Sequence, residues 1–175
     1  MSIKARIRAV PDYPKEGIMF RDITTLIKDP SGFSETLNAL RDRYEGTPIT
    51  KVAGIESRGF IFGAPLAHLL GIGFIPVRKK GKLPATTIGV DYELEYGTDR
   101  LEMHTDSVGA GDVVLLVDDL IATGGTAMAS TKLIEQLNGK VFECCFVVDL
   151  PDLGGSKLLK SNGYKTFSLC EFEGD

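Results

Sequence analysis

Residues 113 to 126 read Val-Val-Leu-Leu-Val-Asp-Asp-Leu-Ile-Ala-Thr-Gly-Gly-Thr, and this stretch restricts the possible folds more than any other. Five consecutive branched apolar residues, Val113 to Val117, have the pattern of a strand covered on both faces within a parallel sheet. Such sheets place their ligand crevice at the carboxyl ends of the strands, and there the chain carries two carboxylates, Asp118 and Asp119. Ala122, Thr123, Gly124, Gly125 and Thr126 then open a helical pattern. Backbone N–H groups and two hydroxyls therefore converge at a helix N-terminus, an arrangement suited to one phosphate.

Two common phosphate motifs are absent. No Gly-Lys-Ser/Thr forms a Walker A loop, and no G-x-G-x-x-G has an acid about 20 residues downstream. Here the acids stand immediately before the phosphate loop. They would repel a polyphosphate lying across them, but they suit the vicinal hydroxyls of a sugar whose 5-phosphate sits in the loop. The implied ligand is a ribose 5-phosphate.

The length of 175 residues gives one ordinary domain with room for a core, and 43% hydrophobic with 25% charged residues is a globular balance. A net charge of −4 argues against bulk nucleic-acid binding but leaves room for local cationic clusters. No apolar run is long enough to cross a membrane or to act as a signal peptide, so a cytoplasmic chain is expected. Cys144, Cys145 and Cys170 have neither disulfide nor zinc spacing and read as reduced core thiols.

Taken in order, residues 3 to 10 alternate apolar and basic, compatible with a short helix or a strand. Pro11 to Gly17 is turn-rich and leads into an extended segment, Ile18 to Ile23. Asp29-Pro30 supplies an N-cap and a first-turn proline for a helix whose buried stripe is Phe33, Leu37, Leu40 and Tyr44. Lys51 to Ile55 is a strand, followed by the polar loop Glu56 to Gly59 and an apolar helix from Phe60 to Leu70. Gly73 to Val77 is the next strand, and Arg78, Lys79, Lys80 and Lys82 follow it around Gly81. Thr86 to Tyr96 and Leu101 to His104 read as paired strands turning at Gly97. Thr126 to Leu137 is helical and stops at Asn138-Gly139; Lys140 to Val148 is a buried strand, Lys157 to Lys160 a short helix, and Lys165 to Leu169 an edge strand. His68 and His104 fall away from the strand ends that carry the polar loops. The alternation predicts an α/β fold, a twisted and mainly parallel sheet with helices on both faces.

Five segments in this order carry a resemblance: Met19-Phe20-Arg21-Asp22, Glu56-Ser57-Arg58-Gly59-Phe60, Arg78 to Pro84, Tyr92 to Gly97, and the central Asp118 to Thr126. The chain resembles the type I phosphoribosyltransferases, and among them the adenine-specific family, from about Pro11 to Leu150. The resemblance implies a single domain over 1–175, with a small N-terminal hood over about 1–30 and a flexible β-excursion. It implies transfer of the 5-phosphoribosyl group from 5-phosphoribosyl 1-diphosphate to adenine, giving AMP and pyrophosphate, in a homodimer that uses Mg2+ held mainly on the substrate diphosphate. By position, Asp118 and Asp119 would hold the ribose hydroxyls, and Ala122, Thr123, Gly124, Gly125 and Thr126 the 5-phosphate. Arg58, Arg78, Lys79 and Lys82 would take the diphosphate. Phe20 would stack on the base, with the backbones of Met19 and Arg21 reading its edge. Glu95 would be the acid/base and Tyr96 a neighbouring substrate contact, with Arg58 and Lys82 acting alongside Glu95 in catalysis. No protein residue is expected to ligate the metal.

Two other readings were open to the same loop. A transferase for hypoxanthine, guanine, xanthine or orotate is opposed by the base-reading stretch at 18 to 21. A DNA-binding regulator that senses phosphoribosyl diphosphate would need a basic domain for which the chain has little room.

Overall fold

A computed structural model describes residues 1–94 and 96–174. Its centre is a seven-stranded sheet built from β3 (Lys51–Ile55), β4 (Gly73–Lys79), β5 (Thr87–Glu93), β6 (Thr98–His104), β7 (Val113–Ile121), β8 (Lys140–Asp149) and β9 (Thr166–Glu171). The order is β5-β6-β4-β3-β7-β8-β9, in which β4-β3-β7-β8-β9 are mutually parallel and β6 pairs antiparallel with both β4 and β5. The parallel, helix-covered α/β sheet expected from the alternation is therefore present. The β5–β6 hairpin extends it past β4 with seven paired positions, Thr87↔His104 through Glu93↔Thr98.

Helices α2 (Pro30–Tyr44), α3 (Arg58–Leu70), α4 (Gly125–Gln136) and α5 (Gly155–Ser161) cover the faces. The side chain of Asp29 accepts from Ser31 N–H at 3.2 Å, with Pro30 in the first turn, so α2 starts where capping chemistry placed it. Helix α4 stops where Asn138 takes a positive φ of 68° and the Gly139 N–H donates to the Ile134 carbonyl at 3.0 Å.

Successive residues of the central strands supply two cores. Val52, Leu115, Val117, Cys145 and Val147 pack toward α2 and α3 with Leu40, Phe62 and Leu66. Ala53, Val114, Leu116, Cys144 and Phe146 pack toward α4 and α5 with Ile134 and Leu159. Both halves of the unbroken apolar run are thus used, which is why β7 shows no polar alternation. Cys144 and Cys145 are fully buried and their thiols are pushed up to about 12, chiefly by burial, as inert core residues require.

The N-terminal segment resolves into both elements its sequence allowed: a single 3-10 turn at Lys4–Arg6, then β1 (Arg8–Val10), which pairs antiparallel with β2 (Phe20–Asp22) apart from the main sheet. Helix α1 (Thr24–Ile27) follows directly and was not expected; at four residues it is too short to show a period. His68 is exposed in the last turn of α3, and His104 Nε2 accepts from Ala85 N–H at 3.2 Å.

Candidate active site

A cleft of about 550 Å3 opens at the carboxyl edge of the parallel strands. It is lined by the ends of β3 and β7, by the polar loop from Glu56 to Arg58, by Asp118 to Ala127, and by Lys79, Tyr92, Glu93 and Leu94 from the edge of the sheet. Two helix N-termini, those of α3 and α4, begin in this lining without a side-chain cap, giving two positive dipole ends.

Strand β7 does not end at the carboxylates. Its ladder with β8 continues through Leu120↔Val148 and Ile121↔Asp149, so Asp118 and Asp119 are held in regular strand while lining the cleft. Both are buried, at 9% and 4% exposure. Arg58 Nε donates to Asp119 Oδ2 at 2.6 Å. Burial works against the charge on Arg58, but Asp119 and then Asp118 outweigh it and hold the guanidinium more firmly protonated than usual. Burial, then the neighbouring Asp119 charge, push Asp118 well above the ordinary carboxylate range.

The phosphate loop is fixed from a distance. Gly124 has φ 89°, and a Cβ there would lie 3.0 Å from Gly155 Cα; a Cβ on Gly155 would lie 2.5 Å from the Ala122 carbonyl oxygen and 2.8 Å from Gly124 N. Gly155 N–H donates to that Ala122 carbonyl at 2.9 Å. Only two glycines permit this approach of α5 to the loop. In the sequence Gly154-Gly155 only precedes the short helix at Lys157 to Lys160, and nothing local marks its contact with residues some thirty positions away.

Arg78 and Lys79 are also paired. Arg78 Nε is 3.4 Å from Glu56 Oε1, whose oxygen accepts the Lys79 N–H at 2.5 Å, and Lys79 Nζ is 3.4 Å from Asp99 Oδ2. Tyr92 O–H donates to Asp99 at 3.3 Å, and burial followed by the Asp99 charge pushes the phenol up to about 12. Of the expected diphosphate ligands, Arg58 and Lys79 line the cleft, whereas Arg78 is outside its lining, against Glu56 and the Phe60 ring, and Lys82 is exposed on the turn after β4.

Of the expected base-reading residues, Phe20 lines a second depression of about 260 Å3, with Val10, Tyr13, Asp22 and Thr24. Tyr13 meets the Phe20 ring edge-on at 5.1 Å, and the Arg58 guanidinium lies 5.9 Å from the same ring, joining the depression to the cleft. Arg8 and Thr24 hydrogen-bond Asp22 beneath it, and against the effect of burial they pull its carboxyl down to about 2. Met19 is 36% and Tyr96 83% exposed. Glu95 lies outside the described residues.

The sheet, the buried acid pair and the glycine-built phosphate loop are those of a phosphoribosyl-transferring protein, and the chain belongs to the phosphoribosyltransferase family: residues 33–173 match the family model described as a phosphoribosyl transferase domain. Within that family its similarity is to adenine phosphoribosyltransferases. It is 63% identical over 175 residues to the adenine phosphoribosyltransferase of Nitrosospira multiformis, covering all of both chains. Its fold is similar to the crystal structure of the enzyme from Thermoanaerobacter pseudethanolicus, with a TM-score of 0.92 at 52% identity over 97% of this chain and 98% of that one. It is also similar to the Saccharomyces cerevisiae enzyme complexed with adenine and an iminoaltritol bisphosphate, with a TM-score of 0.89 at 40% identity over 95% and 96%. The fold and family read from the five motifs are borne out.

Proposed function

We infer that the cleft transfers the 5-phosphoribosyl group from 5-phosphoribosyl 1-diphosphate to adenine, giving AMP and pyrophosphate. The observation that carries this reading is the convergence of Asp118, Asp119 and the Ala122–Thr126 loop with Arg58 and Lys79 in one lining. A sugar with a phosphate at one end and a diphosphate at the other has the matching distribution of hydroxyls and charge. The yeast relative, crystallised with adenine and a bisphosphate together, supports the same pair of ligand classes.

In this reading the 5-phosphate sits on the N–H groups of the loop, and Asp118 and Asp119 accept from the ribose hydroxyls. Arg58 and Lys79 neutralise the departing diphosphate from the cleft lining, and Arg78 and Lys82 add positive charge from outside it. The C1–O bond breaks with its electron pair leaving on the diphosphate, and adenine N9 gives its lone pair to C1 as Glu95 takes the proton from N7. The cationic ribose centre needs positioning and charge neutralisation rather than a protein nucleophile. Phe20 stacks on adenine, the backbones of Met19 and Arg21 read its edge, and Tyr96 contacts substrate beside Glu95.

Among the described residues no group of three or more His, Cys, Asp or Glu side chains converges to hold a metal. The oxygen donors Asp118 and Asp119 suit a hard cation held mostly on diphosphate oxygens and water, where magnesium would add positive charge beside the leaving group. On the family resemblance the enzyme is a cytoplasmic homodimer of one catalytic domain over 1–175, hooded by about residues 1–30. No helix among the described residues is long and apolar enough to cross a membrane.

The test is pyrophosphate release from 5-phosphoribosyl 1-diphosphate with each of adenine, hypoxanthine, guanine, xanthine and orotate. Adenine alone should support it, and comparable release with another base would overturn the specificity. Glu95→Gln should lower turnover on the order of 100-fold to 10,000-fold with affinity for the diphosphate substrate nearly intact. A rate within about twofold of the parent would remove Glu95 from proton transfer.

A further inference from the structure

The end of the chain meets the base-reading strand. Phe172 follows β9, and its N–H donates to the Asp149 carbonyl at 3.0 Å, which pins the residue to the carboxyl edge of the main sheet. Its side chain is 9% exposed, within the core that faces α2 and α3. Two cations approach the ring: Arg21 Cζ at 4.1 Å and Lys4 Nζ at 4.9 Å from its centroid. Both distances fall within the range of favourable cation–ring attraction, and guanidinium groups also stack well on aromatic faces.

Arg21 is the central residue of β2, whose neighbours on the strand are held by Arg8 and Thr24 at Asp22 and by Tyr13 at Phe20. Among the described residues the ladder of β2 is with β1, through Arg8↔Asp22, Ala9↔Arg21 and Val10↔Phe20. A two-stranded ribbon of this length is at best marginally stable alone, so its position depends on contacts with the body of the protein. The Phe172 ring, fixed on the main sheet, touches the middle residue of that ribbon.

We propose that Phe172 is a positioning residue for adenine. By holding the Arg21 side chain against the sheet edge, it sets where the Met19–Arg21 backbone and the Phe20 ring stand relative to the phosphate cleft. The proposal rests on the reading that Met19 to Arg21 form the base site. Phe172 belongs to neither depression of the active site, so its effect would be specific to one substrate. Losing the ring should weaken adenine binding and leave the loop that holds the ribose phosphate as it is.

The experiment compares Phe172→Leu, Phe172→Met and Phe172→Tyr with the parent full-length chain, measuring KM for adenine, KM for 5-phosphoribosyl 1-diphosphate, and thermal unfolding. Leu and Met keep apolar volume without a ring, whereas Tyr keeps the ring. The expected result is a rise in adenine KM of roughly threefold to tenfold for Leu and Met, with the other KM within about twofold, and recovery to near the parent value for Tyr. Met carries the comparison if Leu fails to fold. Unchanged adenine KM in the ringless variants, an equal rise in both KM values, or a Tyr variant as defective as Met would each overturn the proposal. Phe20→Ala separates it from the reading beneath it. If that variant leaves adenine KM unchanged, the base site is elsewhere whatever residue 172 does. If it raises adenine KM while the ringless 172 variants do not, the base site stands and the positioning role falls.

Discussion

Arg58 Nε donates to Asp119 Oδ2 at 2.6 Å, so the free cleft pairs a cation suited to the diphosphate with a carboxylate suited to the ribose. Arg58 is about half exposed and Asp119 nearly buried, at 52% and 6% of their side chains. Lys79 with Asp99 and Arg78 with Glu56 repeat the arrangement at longer range, each 3.4 Å apart. Substrate binding is therefore an exchange of partners. Each anion brought in by the ligand competes with a carboxylate already present, while each hydroxyl gives a carboxylate a new donor.

That exchange predicts effects of opposite sign for Asp119→Asn. The amide is a weaker acceptor for a ribose hydroxyl, so affinity for 5-phosphoribosyl 1-diphosphate should fall by about tenfold or more, as loss of a charged hydrogen bond implies. Pyrophosphate alone, which has no hydroxyls to lose, should bind a few-fold more tightly because Arg58 no longer has a competing anion. Calorimetric titration of both ligands checks this. Changes of the same sign for the two would mean that Asp119 does not separate ribose from diphosphate.

Asp118 gives a pH-dependent prediction. Its carboxyl is held well above the ordinary value of 3.8 by burial and by Asp119, so the folded protein binds that proton more readily than the unfolded chain. The ionised, buried carboxylate then costs stability above the raised value, and the cost vanishes as pH falls to the ordinary range. Asp118→Asn, which can still accept the Asp119 N–H now made at 2.8 Å, should raise Tm at about pH 8 by some 2–4 °C for each kcal/mol relieved. The gain should close by about pH 4. Binding of 5-phosphoribosyl 1-diphosphate should weaken in the same variant, because the ribose loses a charged acceptor. A Tm gap independent of pH would show that the burial cost is not borne by ionised Asp118.

Much of this architecture can be read locally, and its limits are physical. The Asp29-Pro30 helix start and the strand Lys51–Ile55 follow from capping chemistry and hydrophobic pattern, which act within a few residues. The phosphate loop is legible because glycines, hydroxyls and a helix start are adjacent in the chain. The end of β7 was placed too early because two carboxylates look like a strand terminus, yet the ladder with β8 uses only backbone and runs on to Ile121. The pairing of Arg58 with Asp119, the approach of Gly155 to the loop and the stacking of Arg21 on Phe172 span 61, 31 to 33 and 151 residues. Such contacts depend on how elements dock, which no local pattern records.

Gly155 supplies the third prediction. Gly155→Ala would place a methyl 2.5 Å from the Ala122 carbonyl oxygen, 2.8 Å from Gly124 N and 2.8 Å from Ile121 Cγ1, two of them backbone atoms of the phosphate loop. Overpacking of this kind costs about 1–3 kcal/mol, and here the yielding element is the one that holds the 5-phosphate. Affinity for 5-phosphoribosyl 1-diphosphate should drop roughly tenfold while adenine KM changes little. Gly163→Ala is the control: its φ of 89° imposes backbone strain, but a Cβ there meets open space. An equal loss of substrate affinity in both variants would reduce the Gly155 effect to general destabilisation.

The last prediction concerns the turn between β4 and the β5–β6 hairpin. Gly81 has φ 80°, its N–H donates to Glu102 Oε1 at 2.9 Å, and Lys82 N–H donates back to the Lys79 carbonyl at 3.2 Å. This tight cationic turn leads into a hairpin whose Tyr92 side chain reaches the phosphate loop beside Gly125. A segment that leaves the sheet on a glycine and returns to the cleft has the form of a lid, and closure over both substrates would keep water from the cationic ribose centre. Proline cannot adopt a positive φ and has no N–H, so Gly81→Pro removes both the turn conformation and the Glu102 bond. Transfer should slow by about tenfold or more, while adenine KM, set at the Phe20 depression, stays within about twofold. The parent should be cleaved by protease within residues 79–95 when free. It should be protected when 5-phosphoribosyl 1-diphosphate, magnesium and an unreactive adenine analogue are present together, and Gly81→Pro should lose that protection. Equal cleavage of the parent with and without the three ligands would count against the lid, and an unchanged rate in Gly81→Pro would take the hinge away from residue 81.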